Sequence, residues 1–306
     1  MLVDINMRTN SLRAWILAAR PKTLSGAAVP VMLGCAYAYH LCGAEAFLDG
    51  GWIAALLCFL FAFVMQIDAN FINDYYDCVK KRDNEERLGP LRACQQGWVT
   101  LKAMKIAIAL TTLLACIIGL PLVLYGGYEL IAVGVACIVF CFLYTICFAQ
   151  LGLGDVLVLL FFGIIPTVCT TYVIVPHEFQ QWSLMPWTLG IATGMVIDCL
   201  LLVNNYRDID NDKATGKNTL VVMIGKKPTE YLYMMLVPLA LVLILIEFGF
   251  SNANMILCFI VYFFHIGTYV KMKKIGEGRA LNSVLGMTAR NILIYGLVIT
   301  LLVILA

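Results

Sequence analysis

The chain has 306 residues, of which 62% are hydrophobic and only 13% charged, and its mean hydropathy is +0.89. A water-soluble domain is about a quarter charged, so the composition excludes a soluble globular protein and indicates an integral membrane protein. The net charge of +2 gives no sign of a nucleic-acid partner, and we expect none. Most of the 12 cysteines lie inside apolar runs, where they behave as small hydrophobic residues rather than as metal ligands.

Nine apolar runs are long enough to cross a bilayer, and they lack the alternation of a membrane β-barrel. We therefore predict an all-α integral membrane protein with nine transmembrane helices around a central cavity, in a single domain over residues 1–306. The first helix contains Pro21 and Pro30 and should be kinked or start with a turn at the membrane surface. The predicted helices are 12–40, 51–77, 100–124, 128–148, 155–176, 186–208, 228–249, 252–271 and 288–306.

Lysine and arginine divide between the two sides of this arrangement. All 21 lie at the N-terminus or around the connections that follow helices 2, 6 and 8. The connections near 41–50, 125–127, 177–185 and 250–251 contain none. The positive-inside rule then places the N-terminus in the cytoplasm and the C-terminus outside. This predicts a multi-pass protein of the inner membrane whose active site faces the cytoplasm.

Two acidic stretches end the predicted helices 2 and 6. One reads Asn-Asp-Tyr-Tyr-Asp over residues 73–77, and the other reads Arg-Asp-Ile-Asp-Asn-Asp over residues 207–212. Polar residues recur at three- or four-residue spacing in each, so they share a helix face. Carboxylates are costly in a membrane, and two oxygen-rich faces at one edge predict a divalent-cation site. Mg²⁺ suits it because it takes few carboxylates and shares its other positions with water and phosphate oxygens, although Ca²⁺ or a transported cation has the same ligand preference.

Basic residues surround these carboxylates, and positive-inside topology accounts for most of them. Mg²⁺ together with Lys or Arg is the usual clamp for a diphosphate. The basic residues are Arg20, Lys22, Lys80, Lys81, Arg82, Arg87, Arg92, Lys213 and Lys217. Four of these are the predicted diphosphate ligands, namely Arg20, Lys22, Arg82 and Lys213.

The two acidic stretches resemble those of the UbiA superfamily of intramembrane prenyltransferases. Four further strings are similar to the branch of that family that acts on 1,4-dihydroxy-2-naphthoate. They are Ala-Arg-Pro-Lys-Thr at 19–23, Glu-Glu-Arg-Leu-Gly-Pro at 85–90, Gly-Leu-Gly-Asp at 152–155 and Leu-Leu-Val-Asn-Asn-Tyr-Arg-Asp at 201–208. The resemblance extends from about residue 14 to residue 306. It implies Mg²⁺-dependent transfer of a polyprenyl group from polyprenyl diphosphate to 1,4-dihydroxy-2-naphthoate, with loss of CO₂.

The resemblance also implies a set of metal ligands. Many members of the superfamily place the last Asp of the first motif at the position of Lys81, whereas this chain has Asp83 two residues later. The implied metal ligands are Asn73, Asp74, Asp77, Asp83, Asp208 and Asp212. Those with a catalytic role are Asp74, Asp77, Asp208 and Asp212.

The acceptor and the prenyl chain require a second set of side chains near the same helix ends. Two acids lie deeper in the predicted helices, Asp68 and Asp198, and their roles stay open. The predicted acceptor and prenyl ligands are Asn70, Tyr144, Asp155, Asn204 and Asn205.

Three other functions share some of these features. A family member with another acceptor, such as 4-hydroxybenzoate, haem or a chlorin, would carry the same acidic stretches. A CDP-alcohol phosphotransferase would require Asp-Gly-x-x-Ala-Arg, which is absent. A cation-coupled transporter would be expected to place charge near the middle of the bilayer, whereas these clusters lie at one edge.

Overall fold

The structure, a computed structural model, describes residues 7–80, 88–89, 91–176, 179 and 183–306. These residues form helices and turns without any β-strand, which confirms the predicted all-α class. The helices are α1 (Leu12–Ala19), α2 (Leu24–Cys42), α3 (Gly51–Val79), α4 (Leu101–Gly119), α5 (Val123–Gly126), α6 (Glu129–Ile146), α7 (Gly154–Leu159), α8 (Ile165–Ile174), α9 (Met185–Ala214), α10 (Leu220–Ile224), α11 (Lys226–Phe248), α12 (Asn252–Ile275) and α13 (Leu281–Leu305).

Nine segments of the described chain are long and apolar enough to cross a membrane, which confirms the predicted number and order. The largest differences from the predicted bounds are at α9, which continues to Ala214 instead of 208, and at α13, which begins at Leu281 instead of 288. The end of α9 stays helical because Arg207 and Asp212 are buried there with partners, as described below. The second acidic stretch therefore lies entirely on a helix.

The first span is interrupted, as its prolines predict. α1 ends at Arg20, whose φ of 52° and ψ of 65° are left-handed, and a short 3₁₀ turn over Pro21–Thr23 leads into α2. Pro30 lies inside α2 without ending it. The hydroxyl of Thr23 donates to the carbonyl of Arg20 at 2.9 Å, which closes the turn. This interruption turns the Arg20 side chain away from the direction that a continuous helix would give it.

A cluster of glycines brings two spans into backbone contact. α7 and α8 are joined by one π-helical turn, Leu160–Ile164, and this turn packs on α9. A Cβ added at Gly163 would lie 2.4 Å from the carbonyl oxygen of Gly190 and 2.6 Å from the backbone of Gly194. No side chain fits between the backbones there, and close approach through small residues is a common mode of packing between membrane helices.

Asp68 lies deep in α3 and is 1% exposed. Its two carboxylate oxygens accept from the hydroxyls of Thr111 at 2.5 Å and Thr112 at 2.7 Å, both on α4. A buried carboxylate requires such partners because leaving it without hydrogen bonds costs several kcal/mol. Asp68 therefore links α3 to α4.

The glycine contact gives a first prediction. We expect Gly163→Ala to lower the thermal midpoint in detergent, with a loss of about 1–3 kcal/mol, because the new methyl group must displace backbone atoms. The control is Gly286→Ala on α13, where an added Cβ meets no atom within 4 Å. That substitution should be neutral or stabilise by up to about 1 kcal/mol, since Ala favours helix over Gly. Equal midpoints for the two variants would contradict the contact.

Candidate active site

A polar cavity of about 110 Å³ lies between α3, α6, α7 and α9, near the ends of these helices that carry the acidic stretches. Its wall combines segments that are far apart in the sequence, from the turn after α1 to the connection after α9. The lining residues are Arg20, Asn73, Asp77, Arg92, Tyr144, Thr145, Gly152, Gly154, Asp155, Leu201, Asn204, Asn205, Lys217 and Thr219.

The first acidic stretch contributes Asn73 and Asp77 to the cavity wall. They are four residues apart on α3, so both point to the same side. Asp77 forms a salt bridge with Arg92, whose Nη2 lies 2.5 Å from the Asp77 Oδ2. The Asn73 Oδ1 accepts from the hydroxyl of Thr145 at 2.6 Å, which fixes the side-chain amide against α6. Both polar groups are thus held in place by partners from other segments.

Asp74 has a different position from its neighbours. It is 1% exposed and does not line the cavity. Its two oxygens accept from the backbone N–H groups of Ala93 at 2.8 Å and of Cys94 at 2.9 Å. Burial raises the pKa of the Cys94 thiol, and the Asp74 charge raises it further. The predicted roles of Asp74 in metal binding and catalysis stay predictions, and its observed contacts anchor the connection 91–99.

The second acidic stretch is paired with basic residues. Arg207 binds the Asp208 carboxylate with two nitrogens, at 2.8 Å and 2.6 Å. It also donates to the side-chain carbonyls of Asn204 and Asn282, each at 2.7 Å. The amide of Asn282, on α13, donates in turn to the backbone carbonyl of Leu88 at 2.9 Å. Arg207 thus joins α9 to α13 and, through Asn282, to the connection after α3.

Asp212 lies one turn beyond Asp208 and is buried. The Lys217 Nζ lies 3.6 Å from the Asp212 Oδ1, and Lys217 lines the cavity. Neither Asp208 nor Asp212 is itself in the cavity wall. Asp212 therefore borders the site through Lys217, and Asp208 borders it through Arg207 and the lining residue Asn204.

The predicted diphosphate ligands separate into three groups. Arg20 lines the cavity, whereas Lys22 and Lys213 are exposed and do not. Arg82, like the predicted metal ligand Asp83, lies outside the described residues. The structure instead places Arg92 and Lys217 in the cavity wall. Both belong to the basic residues that surround the acidic stretches in the sequence, but their approach to the cavity depends on how two connections fold back and cannot be predicted from spacing.

Four of the five predicted acceptor and prenyl ligands line the cavity, namely Tyr144, Asp155, Asn204 and Asn205. The fifth, Asn70, does not. Its Nδ2 donates to the carbonyl of Ala19 at 2.9 Å and to the hydroxyl of Thr23 at 3.1 Å. Asn70 therefore holds the turn from which Arg20 reaches the cavity.

A Mg²⁺ ion requires several oxygen donors. Within the described part of the chain, no three side chains of the His, Cys, Asp or Glu type are close enough to form a complete metal site. The cavity wall nevertheless offers the carboxylate of Asp77 and the side-chain amide of Asn73. Mg²⁺ typically takes one or two carboxylates and completes its shell with water and phosphate oxygens. The residues present fit an ion that is bound jointly with a phosphorylated ligand.

Comparisons with known proteins agree with this architecture. The sequence profile of the UbiA prenyltransferase family matches residues 24–304. The 1,4-dihydroxy-2-naphthoate octaprenyltransferase of Escherichia coli strain K12 is 35% identical over 223 residues, which cover 70% of this chain and 69% of that protein.

Two solved structures share the fold. A UbiA homolog from Aeropyrum pernix K1 has a TM-score of 0.66 at 16% identity, covering 90% of this chain and 97% of that one. A UbiA homolog from Archaeoglobus fulgidus bound to DMAPP and Mg²⁺ has a TM-score of 0.61 at 13% identity, with coverage of 95% and 99%.

The contacts of Asp74 give a second prediction. We expect Asp74→Ala to expose the connection 91–99 to amide hydrogen exchange, since two buried N–H groups would lose their acceptors at about 1–3 kcal/mol each. The measurement is exchange by mass spectrometry on the peptides that contain Ala93 and Cys94. Asp210→Ala is the control, because Asp210 is an exposed carboxylate of the other stretch. Unchanged protection in the Asp74 variant would show that this carboxylate does not anchor the connection.

Proposed function

The chain belongs to the UbiA prenyltransferase family, and from that membership we propose that it transfers a polyprenyl group from a polyprenyl diphosphate to 1,4-dihydroxy-2-naphthoate, with loss of CO₂. The observation that carries the proposal is the cavity at the acidic helix ends, where Asp77 and Asn73 face Arg20, Arg92 and Lys217. The naphthoate follows from the similarity to the E. coli protein over most of both chains. Residues 1–306 act as one prenyltransferase domain.

Ionisation of the allylic diphosphate leaves negative charge on the departing oxygens. Three basic residues in the cavity wall can donate to these oxygens, namely Arg20, Arg92 and Lys217. Preorganised donors are effective because they need no rearrangement as the charge develops. Arg92 and Lys217 are already held by Asp77 and Asp212, and Arg20 is presented by the turn that Asn70 anchors. Mg²⁺, when bound with the substrate, would supply further positive charge beside Asp77, Asn73 and the diphosphate.

The other half of the reaction requires an aromatic ring next to a carbocation. Tyr144, Leu201 and Asp155 line the cavity wall formed by α6, α7 and α9. A site among packed membrane helices keeps water from the cation, and an aromatic face such as Tyr144 stabilises positive charge. Asn204 and Asn205 add neutral donors and acceptors beside this region. The cavity thus offers a cationic region for the diphosphate and an aromatic region for the acceptor.

We also propose the orientation in the membrane. The cavity lies at the ends of α3 and α9, next to the connections that carry the chain's lysines and arginines. The positive-inside rule favours the cytoplasm for this side. The N-terminus lies on the same side, and the protein is a multi-pass component of the inner membrane.

The function is tested with the purified chain in micelles. Incubation with Mg²⁺, 1,4-dihydroxy-2-naphthoate and octaprenyl diphosphate should release diphosphate and give a prenylated product whose mass shows loss of CO₂. Chelation of the metal should stop both. Product from 4-hydroxybenzoate but not from the naphthoate would overturn the acceptor assignment. A cation-coupled transporter would release no diphosphate under any of these conditions.

The pairing of Asp77 with Arg92 gives a third prediction. We expect Arg92→Ala to lower kcat by about 10²–10³-fold, the effect typical of removing one donor to a developing anion. Arg92→Lys should recover part of this loss, because it keeps the charge without the two-pronged geometry. The control Lys102→Ala removes an exposed basic residue at the start of α4 and should leave kcat within about twofold. Equal kcat for Arg92→Ala and the control would refute a role for Arg92 in the reaction.

A further inference from the structure

The glycine contact sets the register between α7–α8 and α9. A Cβ at Gly190 would lie 2.7 Å from the Cα of Ile164, and a Cβ at Gly194 would lie 2.9 Å from the Cα of Leu159. From Gly190 to Gly194 on α9, the contacted residue moves back along the chain from Ile164 to Leu159. The two segments therefore run antiparallel. Two aspartates lie one helical turn beyond this contact. One is four residues before Leu159, and the other is four residues after Gly194.

These aspartates are Asp155 on α7 and Asp198 on α9, and the register brings them face to face. They are close enough to interact electrostatically. Each has one buried oxygen, Oδ1, without a hydrogen-bond partner in the described part of the chain. Asp198 is only 7% exposed. Among the described residues neither carboxylate forms a salt bridge, in contrast to Asp77, Asp208 and Asp212.

Two carboxylates in this situation cannot both remain ionised. Like charges that face each other away from water repel strongly, and no basic side chain of the described chain forms a salt bridge with either of them. The arrangement of lowest free energy keeps one proton shared between the two groups, as in other buried carboxyl pairs. One group then donates a hydrogen bond, and the other keeps a negative charge and free acceptor positions.

The pair adjoins the cavity. Asp155 lines it, and Asp198 lies one turn deeper on α9 than the lining residue Leu201. Tyr144 stands beside Asp155 in the cavity wall, and a Cβ added at Gly154, the residue before Asp155, would lie 3.8 Å from the Tyr144 hydroxyl. Asp155 therefore has one side toward the cavity and one side toward Asp198.

We propose that Asp155 and Asp198 form a carboxyl–carboxylate pair that binds a ring hydroxyl of the aromatic acceptor and holds its proton while the ring attacks the prenyl group. This inference rests on the proposed function and adds the recognition of the acceptor to it. Asp155 is the catalytic residue, because it faces the cavity. Asp198 is a positioning residue, which acts through Asp155.

The proton movement balances without any further reactant. As a ring carbon bonds to the first prenyl carbon, the bond from that carbon to the diphosphate oxygen breaks, and its electron pair leaves with the diphosphate. The hydroxyl proton moves to the carboxylate of the pair, and the electron pair of the O–H bond enters the ring as a carbonyl forms. Loss of CO₂ returns the electron pair of the broken C–C bond to the ring. The carbonyl oxygen then takes the proton back, and the pair ends in its starting state.

Steady-state kinetics test the recognition. We expect Asp155→Asn to raise the KM for the acceptor and to lower kcat by about 10²–10⁴-fold, the range for loss of a proton-transfer group. The KM for the polyprenyl diphosphate should stay within about twofold, because Asp155 is not one of the basic residues that would bind it. Asp198→Asn should change the same two constants by less. The matched control is Asp68→Asn, a buried acid that contacts Thr111 and Thr112 away from the cavity, which should leave the acceptor KM unchanged.

Infrared spectroscopy tests the shared proton without any substrate. The difference spectrum between the wild type and Asp198→Asn in lipid should contain the C=O stretch of a protonated carboxyl, and so should the spectrum for Asp155→Asn. If Asp198→Asn does not fold, Asp155→Asn carries both tests. Absence of the band, or an unchanged acceptor KM, overturns the proposal. If the wild type prenylates 4-hydroxybenzoate instead, the proposed acceptor is wrong, and the KM comparison is made with that acceptor, which also has a ring hydroxyl.

Discussion

The structure depends on the requirement that a charge removed from water must have a partner. Asp77 is paired with Arg92, Asp208 with Arg207 and Asp212 with Lys217. The pairs of Asp77 with Arg92 and of Asp212 with Lys217 hold the connections after α3 and α9 against the ends of these helices. Several polar groups of the cavity wall, namely Asp77, Arg92 and Lys217, are therefore already paired with other side chains. In the proposed reaction, a diphosphate bound with Mg²⁺ would meet side chains that already have partners.

The backbone contact between the π-helical turn and α9 has a second consequence. Gly163, Gly190 and Gly194 allow an approach that any side chain would prevent. The same approach brings Asp155 to Asp198, one turn nearer the cavity. The acids of the two stretches meet cations or backbone N–H groups, but this pair meets a second acid. A fold that keeps such a pair near its active site holds a shared proton there.

The number of spans could be predicted from the sequence, because apolar length is a property of each segment alone. Asn73, Asp77, Asn204 and Asn205 could be predicted to lie near the cavity from helical spacing. Helical spacing did not predict the position of the Asp74 side chain, which lies about 100° around α3 from Asn73. Its partners are backbone N–H groups of a connection, and a connection has no periodic pattern. Spacing also could not predict Arg92 and Lys217, because both lie on connections. Which basic residues reach the cavity depends on loop folding, and a run of lysines and arginines looks alike whether it is buried or exposed.

The distribution of charge around the cavity fixes how an acceptor of the proposed kind would lie. The carboxylate of the proposed naphthoate would be repelled by Asp155 and attracted by the basic residues Arg20, Arg92 and Lys217. A ring hydroxyl, in contrast, is a donor and matches the unpartnered oxygen of Asp155. Both preferences favour the same orientation of the ring, with its carboxylate toward the basic residues and a hydroxyl toward the acid pair. The region of the ring that bears the carboxylate would then face the diphosphate, where the prenyl cation forms in the proposed reaction, so the charges that bind the two substrates would also favour attack from that region of the ring.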